Sequence, residues 1–154
     1  MKIRISVGQR EKLNGYVNID PISKFDDIAV DIRNIDPIAS DAECTEIICE
    51  DVIDFLHREE SFVVLKHWVK KIRHKGKIVV TSVDTHQVCK SFLDKEIDID
   101  QFNKIVHGTF QAPWDVRLSH SSLEELAEFL TSLGLVVTKK RISGIRAILE
   151  ATRP

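Results

Sequence analysis

Short apolar runs of strand length alternate along this chain with longer stretches whose apolar residues recur at helical spacing. Lys2 to Val7, Tyr16 to Ile19, Asp27 to Val30 and Glu46 to Cys49 read as strands, closed in turn by Gly8, Asp20, Asp31 and Glu50. Lys77 to Val83 is the clearest strand, a β-branched run after Gly76, which is expected to end the helix before it. That helix, about Glu60 to His74, sets Phe62, Leu65, Trp68, Val69 and Ile72 on one face, so its aromatic residues are assigned to the core. Shorter helices are expected around Gln87 to Leu93 and Ile99 to Val106. A last helix runs from about Ser122 to Leu133, with Leu123, Leu126, Ala127 and Leu130 inward, Ser121 or Ser122 as cap and Gly134 as stop. The run LVVTKK then turns at Ser143-Gly144, and Arg146 to Ala151 pairs back on it. This order implies an α/β protein with a mostly parallel sheet and an antiparallel C-terminal hairpin strand.

Composition narrows the class. A chain of 154 residues, 43% hydrophobic and 30% charged, suits one domain over residues 1–154 with a single core. No apolar run has the length of a membrane span, and MKIRISV begins as a strand, so a cytoplasmic protein without a membrane partner is expected. The formal charge of -2 gives no pull toward nucleic acid. The basic cluster Lys70, Lys71, Arg73, Lys75 and Lys77 falls at a helix end, where cations meet the negative pole of the macrodipole. Cys44, Cys49 and Cys89 lack C-x-x-C spacing and read as reduced core thiols. His86 and Cys89 offer two ligands on one helix face, too few for zinc, and no metal site is expected.

The chemistry concentrates in VGQREKLNGYVNIDP, where a glycine turn follows one strand and a carboxylate closes the next. A glycine lets backbone pass close under a ligand, and a strand-tip carboxylate outside the core can accept hydrogen bonds from two ribose hydroxyls. By residues alone, Asp20 serves equally to start a turn with Pro21. The segment resembles the opening of the class I S-adenosylmethionine-dependent methyltransferases, whose small members read V-G-x-G, a short loop, then L-x-G-Y-V-N-x-D. Leu13, Gly15, Tyr16, Val17, Asn18 and Asp20 match the second half.

The resemblance implies a three-layer Rossmann-like methyltransferase sheet with S-adenosyl-L-methionine as cofactor. Val7, Gly8 and Gln9 would face the cofactor's amino-acid portion, and Asp20 with Pro21 its ribose. Asp31 would bind the adenine amino group while Ile32 packs on the ring. Glu50 and Asp51, in ICEDVIDFLH, would stand near the transferable methyl. RHKGKIVVTSVD is similar to the family's L-K-P-G-G-K-L-x-I-S-V-P-D and brings in Asp84. The chain departs from the pattern after Gly8, where Gln9-Arg10-Glu11-Lys12 replaces a second glycine. Gly8 to Gly15 is also too short for a crossover helix, leaving one sheet face thinly covered and open to a homodimer.

Residues 84–120 form the expected substrate-side insertion. In HGTFQAPWDVRLSH, Trp114 with His107, Gln111 and Asp115 combines an apolar plate with hydrogen-bonding groups, as small-molecule sites do, although Phe110 and Trp114 could equally pin the loop to the sheet. His120 and Asp84 are the candidate catalytic residues, His120 as base or acceptor-orienting group. The implied activity is methyl transfer to a small molecule or glycan. The alternative is a catalytically degenerate domain that binds a nucleoside ligand or a protein, and a nicotinamide-binding domain is a third reading that fits the later motifs poorly.

Overall fold

The computed structural model describes residues 1–8, 11–22 and 30–154. Gln9 and all but Val30 of the strand expected over Asp27 to Val30 lie outside the described residues. Strands β1 (Lys2–Ile5), β2 (Val17–Ile19), β3 (Cys44–Glu50), β4 (Ile72–Val83), β5 (Val136–Ser143) and β6 (Arg146–Thr152) form one six-stranded sheet in the order β2-β1-β3-β4-β6-β5. The first four run parallel; β6 is antiparallel to both β4 and β5. The helices are α1 (Arg58–Lys71), α2 (Thr85–Leu93), α3 (Ile99–His107) and α4 (Leu123–Ser132).

Alternation along the strands assigns each face. Ile3 and Ile5 of β1, Ile47 and Cys49 of β3 and Ile78 and Val80 of β4 join Leu65 and Trp68 of α1 and Leu126 and Leu130 of α4 in one core. The opposite face of β1, β3 and β4 is charged: Lys2 and Lys77 each reach Glu46 at 3.3 Å, and Arg4 meets Glu50 at 2.6 Å. No helix lies between β1 and β2 among the described residues. Instead Arg4 donates to the Glu11 carbonyl at 2.6 Å, so the short connection itself lies over β1.

α4 follows its signals, with the Ser122 hydroxyl accepting from the Glu125 amide at 3.3 Å and Gly134 at φ +86° after the last turn. α1 and β4 depart from expectation. The helix stops at Lys71, because Ile72 turns extended (φ -76°, ψ 127°) and its side chain enters the core from the strand. Gly76 therefore lies within β4, not at a helix end. A Cβ there would stand 2.8 Å from the Cys44 carbonyl, at the break in register between Cys44 and Glu46, so backbone approach requires the glycine. Phe62 is only partly buried and meets Phe129 of α4, ring centroids 4.6 Å apart. Cys44 and Cys49 are buried as expected, whereas Cys89 is exposed on α2.

Candidate functional site

The C-terminal ends of β1 and β2 border a cavity of about 620 Å³, within the size range of small-molecule sites. Val7, Pro21 and Ile22 line it beside the strand ends, residues 30–33 line one side, and Phe55, Leu56, His57 and Glu60 line another. Trp114 and Leu118 of the insertion complete it. Five residues expected from the sequence, Val7, Pro21, Asp31, Ile32 and Trp114, thus meet in one space.

Beneath this space the two strand ends are tied together. Asp20 is 1% exposed, and its Oδ1 accepts from the Gly8 and Ile22 amides at 3.0 Å each. The Ser6 hydroxyl reaches Oδ2 at 3.5 Å. Asp20 is thus no strand-tip carboxylate outside the core: a short polar side chain this close to two amides is drawn in to satisfy them. Gly8 has φ +72°, and a Cβ built on it would lie 2.3 and 2.5 Å from Cη2 and Cζ2 of Trp114. Only a glycine admits the indole at this distance.

The side formed by residues 30–33 is held from α1. Trp68 donates its indole N–H to the Ile32 carbonyl at 2.9 Å, and the Ile35 amide donates to His67 Nε2 at 3.1 Å. Lys71, buried rather than exposed at the helix end, binds Asp36 and also Asp41 at 2.7 Å. At the cavity, Asp31 pairs with Arg33 through Nε at 2.9 Å and Nη2 at 2.7 Å, and the guanidinium holds its carboxyl below the usual range.

His67 gives this wall a pH dependence. As an acceptor from Ile35 its Nε2 must be unprotonated. Burial pushes its pKa below the ordinary 6.5, outweighing the pull of Asp36 at 3.9 Å; Lys71 and Lys70 lower it further while Asp41 raises it. The unfolded chain then binds the more protons between the lowered value and 6.5, so stability rises with pH across that window. The contribution is fully present above 6.5 and is lost as pH falls through the folded value. Urea unfolding at a series of pH values should show this slope in the wild type and a flatter one in His67→Gln, whose amide oxygen accepts from Ile35 at any pH.

Other expected residues lie elsewhere. Glu50 turns away to Arg4, and Asp51, at φ +52°, is ion-paired with Arg146. Asp84 accepts from the Gln87 amide at 3.0 Å and the Leu123 amide at 2.7 Å, so both its oxygens anchor helix starts and it braces α2 against α4 rather than facing a reacting atom. His120 Nε2–H donates to the Val106 carbonyl at 2.5 Å, and its Nδ1 stands 4.0 Å from Asp54. The Nε2 bond thus ties the end of the insertion to α3, and His120 borders a separate cavity of about 110 Å³ with Val83, Val88 and Val106. His107 lines a surface cleft of about 530 Å³ at the end of α3. Gln111 is exposed, and Asp115 binds the Thr109 amide at 3.2 Å inside its own loop.

Sequence reasoning missed Asp54. It is 1% exposed, receives Arg117 at 3.2 Å, and burial pushes its carboxyl pKa up against the opposing pull of His120 and Arg117. Arg33, Phe55, His57 and Glu60 were missed too; the aromatic and histidine beside the acidic run ICEDVIDFLH were the available signal. Among the described residues no group of three or more His, Cys, Asp or Glu could hold a metal, and no helix is long and apolar enough to cross a membrane.

No family model matches the sequence, and no curated protein matches it. Solved structures do match. A SAM-dependent methyltransferase from Archaeoglobus fulgidus is 12% identical with a TM-score of 0.62, over 90% of this chain and 76% of that one. The chain has the class I methyltransferase fold. Burkholderia thailandensis 1,6-didemethyltoxoflavin-N1-methyltransferase, solved with 1,6-didemethyltoxoflavin and S-adenosylhomocysteine, matches at 10% identity and TM-score 0.61, over 90% of this chain and 62% of that one. An O-methyltransferase family protein from the same organism matches at 12% identity and TM-score 0.56, over 82% of this chain but only 35% of its own. The chain spans about a third of the length of that protein.

Proposed function

We propose that the protein is a cytoplasmic S-adenosylmethionine-dependent methyltransferase acting on a small-molecule or glycan acceptor. The observation that carries this reading is the cavity at the C-terminal ends of β1 and β2, in a class I sheet, lined by Val7 and Pro21 beside the strand ends and by Asp31 and Ile32. Ligands of open α/β sheets bind outside the carboxyl ends of the strands. The residues present fit the cofactor: Asp31 supplies a carboxylate acceptor for the adenine amino group, Ile32 an apolar surface for the ring, and Val7 lines the cavity beside the end of β1.

When bound, the cofactor supplies a methyl group already activated by positive sulfur. The chain then has to align an acceptor and exclude water, for which Phe55 and Trp114 provide apolar surface at the cavity. Where the acceptor must lose a proton, His57 and Glu60 are the titratable groups at the cavity placed to receive it, since His120 and Asp84 are committed to backbone groups.

Asp31→Ala is expected to weaken S-adenosylhomocysteine binding about tenfold, and Asp31→Asn, which keeps an acceptor, clearly less. Equal affinities for the two variants in equilibrium dialysis would make Asp31 only Arg33's partner. The reading as a whole is tested by photo-cross-linking methyl-labelled S-adenosylmethionine to the protein. Label recovered in peptides spanning residues 21–33 or containing Trp114 supports it; label confined to the α3 cleft around His107 contradicts it.

The contact of Trp114 with Gly8 favours a second reading, nucleoside binding without turnover. Release of S-adenosylhomocysteine in the presence of an acceptor separates the two.

A further inference from the structure

The indole of Trp114 occupies the place where a ligand would approach the Gly8 turn. Its Cη2 and Cζ2 are in direct contact with the Gly8 backbone, leaving no room for another chain of atoms between them. The indole also meets Phe55 edge-on, ring centroids 5.9 Å apart at 65°. The side of the cavity lined by Pro21, Asp31 and Ile32 is not reached by these contacts.

The loop that carries Trp114 is a closed unit. Its two ends meet where the Arg117 amide donates to the His107 carbonyl at 3.0 Å, and Phe110 donates to the Asp115 carbonyl at 3.3 Å. Behind it, Leu118 donates to the Asp54 carbonyl at 2.8 Å and the Ser119 hydroxyl to the Leu56 carbonyl at 2.7 Å. The base of the loop is therefore fixed to the end of the sheet, while Trp114 reaches Gly8 from its tip through ring contacts. Such a side chain can leave its seat by rotamer change without unfolding the loop.

We propose that Trp114 is a specificity-determining residue that separates nucleosides by their amino-acid arm. An adenosine thioether without the arm fits beside the seated indole, whereas S-adenosylmethionine and S-adenosylhomocysteine bind only as the indole leaves Gly8. This rests on the assignment of the cavity to the adenosyl cofactor. Displacement costs the ring pair with Phe55 and the contact with Gly8, and so sets the affinity for the complete cofactor below what the rest of the cavity would give.

The test compares methylthioadenosine with S-adenosylhomocysteine by calorimetric titration of the wild type and of Trp114→Ala and Trp114→Phe. The ratio of the two dissociation constants cancels contacts common to both ligands. It is expected to shift toward S-adenosylhomocysteine by about tenfold in Trp114→Ala, with Trp114→Phe intermediate. A second readout uses the wild type alone: Trp68 is fully buried, so quenching of tryptophan fluorescence by iodide reports Trp114. S-adenosylhomocysteine should raise the quenching and methylthioadenosine should not. An unchanged ratio, or S-adenosylhomocysteine binding that leaves quenching as it was, overturns the role of Trp114 while leaving the cavity assignment intact. Binding of neither ligand overturns both.

Discussion

Asp20→Ala is expected to destabilise the protein by about 3 kcal/mol and to abolish measurable binding of S-adenosylhomocysteine. The carboxylate is 1% exposed and accepts from the Gly8 and Ile22 amides, so its removal strands two donors at the base of the cavity. Hydrogen bonds to a charged group contribute roughly 1.5 to 3 kcal/mol each, and a buried unpaired amide adds its own desolvation cost. The Gly8 turn and Pro21 would then lose the tie that sets their separation, and ligand binding should fall with it. Asp20→Asn keeps an oxygen for the amides and should recover about half of the stability. Urea unfolding of the three proteins checks this; an alanine variant as stable as the wild type would show that the two amides find other partners.

Gly8→Ala is the second change of large expected effect. At φ +72° an added Cβ costs on the order of 1 to 2 kcal/mol in backbone strain. It would also lie 2.3 Å from the Trp114 ring, whose far edge must give way. Loss of stability of about 2 kcal/mol and a fall in S-adenosylhomocysteine affinity of about tenfold or more are expected. The two costs separate in a double-mutant cycle with Trp114→Ala, which relieves the overlap but not the strain. If the two substitutions are additive, the indole is not what the Cβ meets.

The parts of this molecule that sequence exposes are those governed by local periodicity. The hairpin of β5 and β6 and the capped α4 carry an apolar pattern with a turn or stop signal, and they and the two short helices of the insertion form near their expected places. The junction of α1 and β4 was misplaced because Gly76 looks like a helix stop, yet its need for a missing Cβ comes from Cys44 on a neighbouring strand. The site divides in the same way. Val7 and Pro21 follow β1 and β2, so topology alone carries them to one rim, where Asp31 and Ile32 meet them. Sequence does not separate the candidate roles of Asp84 and His120, because a carboxylate that caps two helix starts, or a histidine bonded to a distant carbonyl, has the same sequence as a reactive one. The partners that decide the matter, Leu123 and Val106, are fixed only by tertiary packing.

The assignment of the cavity to S-adenosylmethionine is tested most directly by calorimetric titration of the wild-type protein with S-adenosylhomocysteine, with NAD as the comparison. Saturable one-to-one binding of the sulfur nucleoside, weakened by Asp31→Ala, with no heat from NAD, is the expected result. No binding of S-adenosylhomocysteine, or binding of NAD in its place, would contradict the assignment.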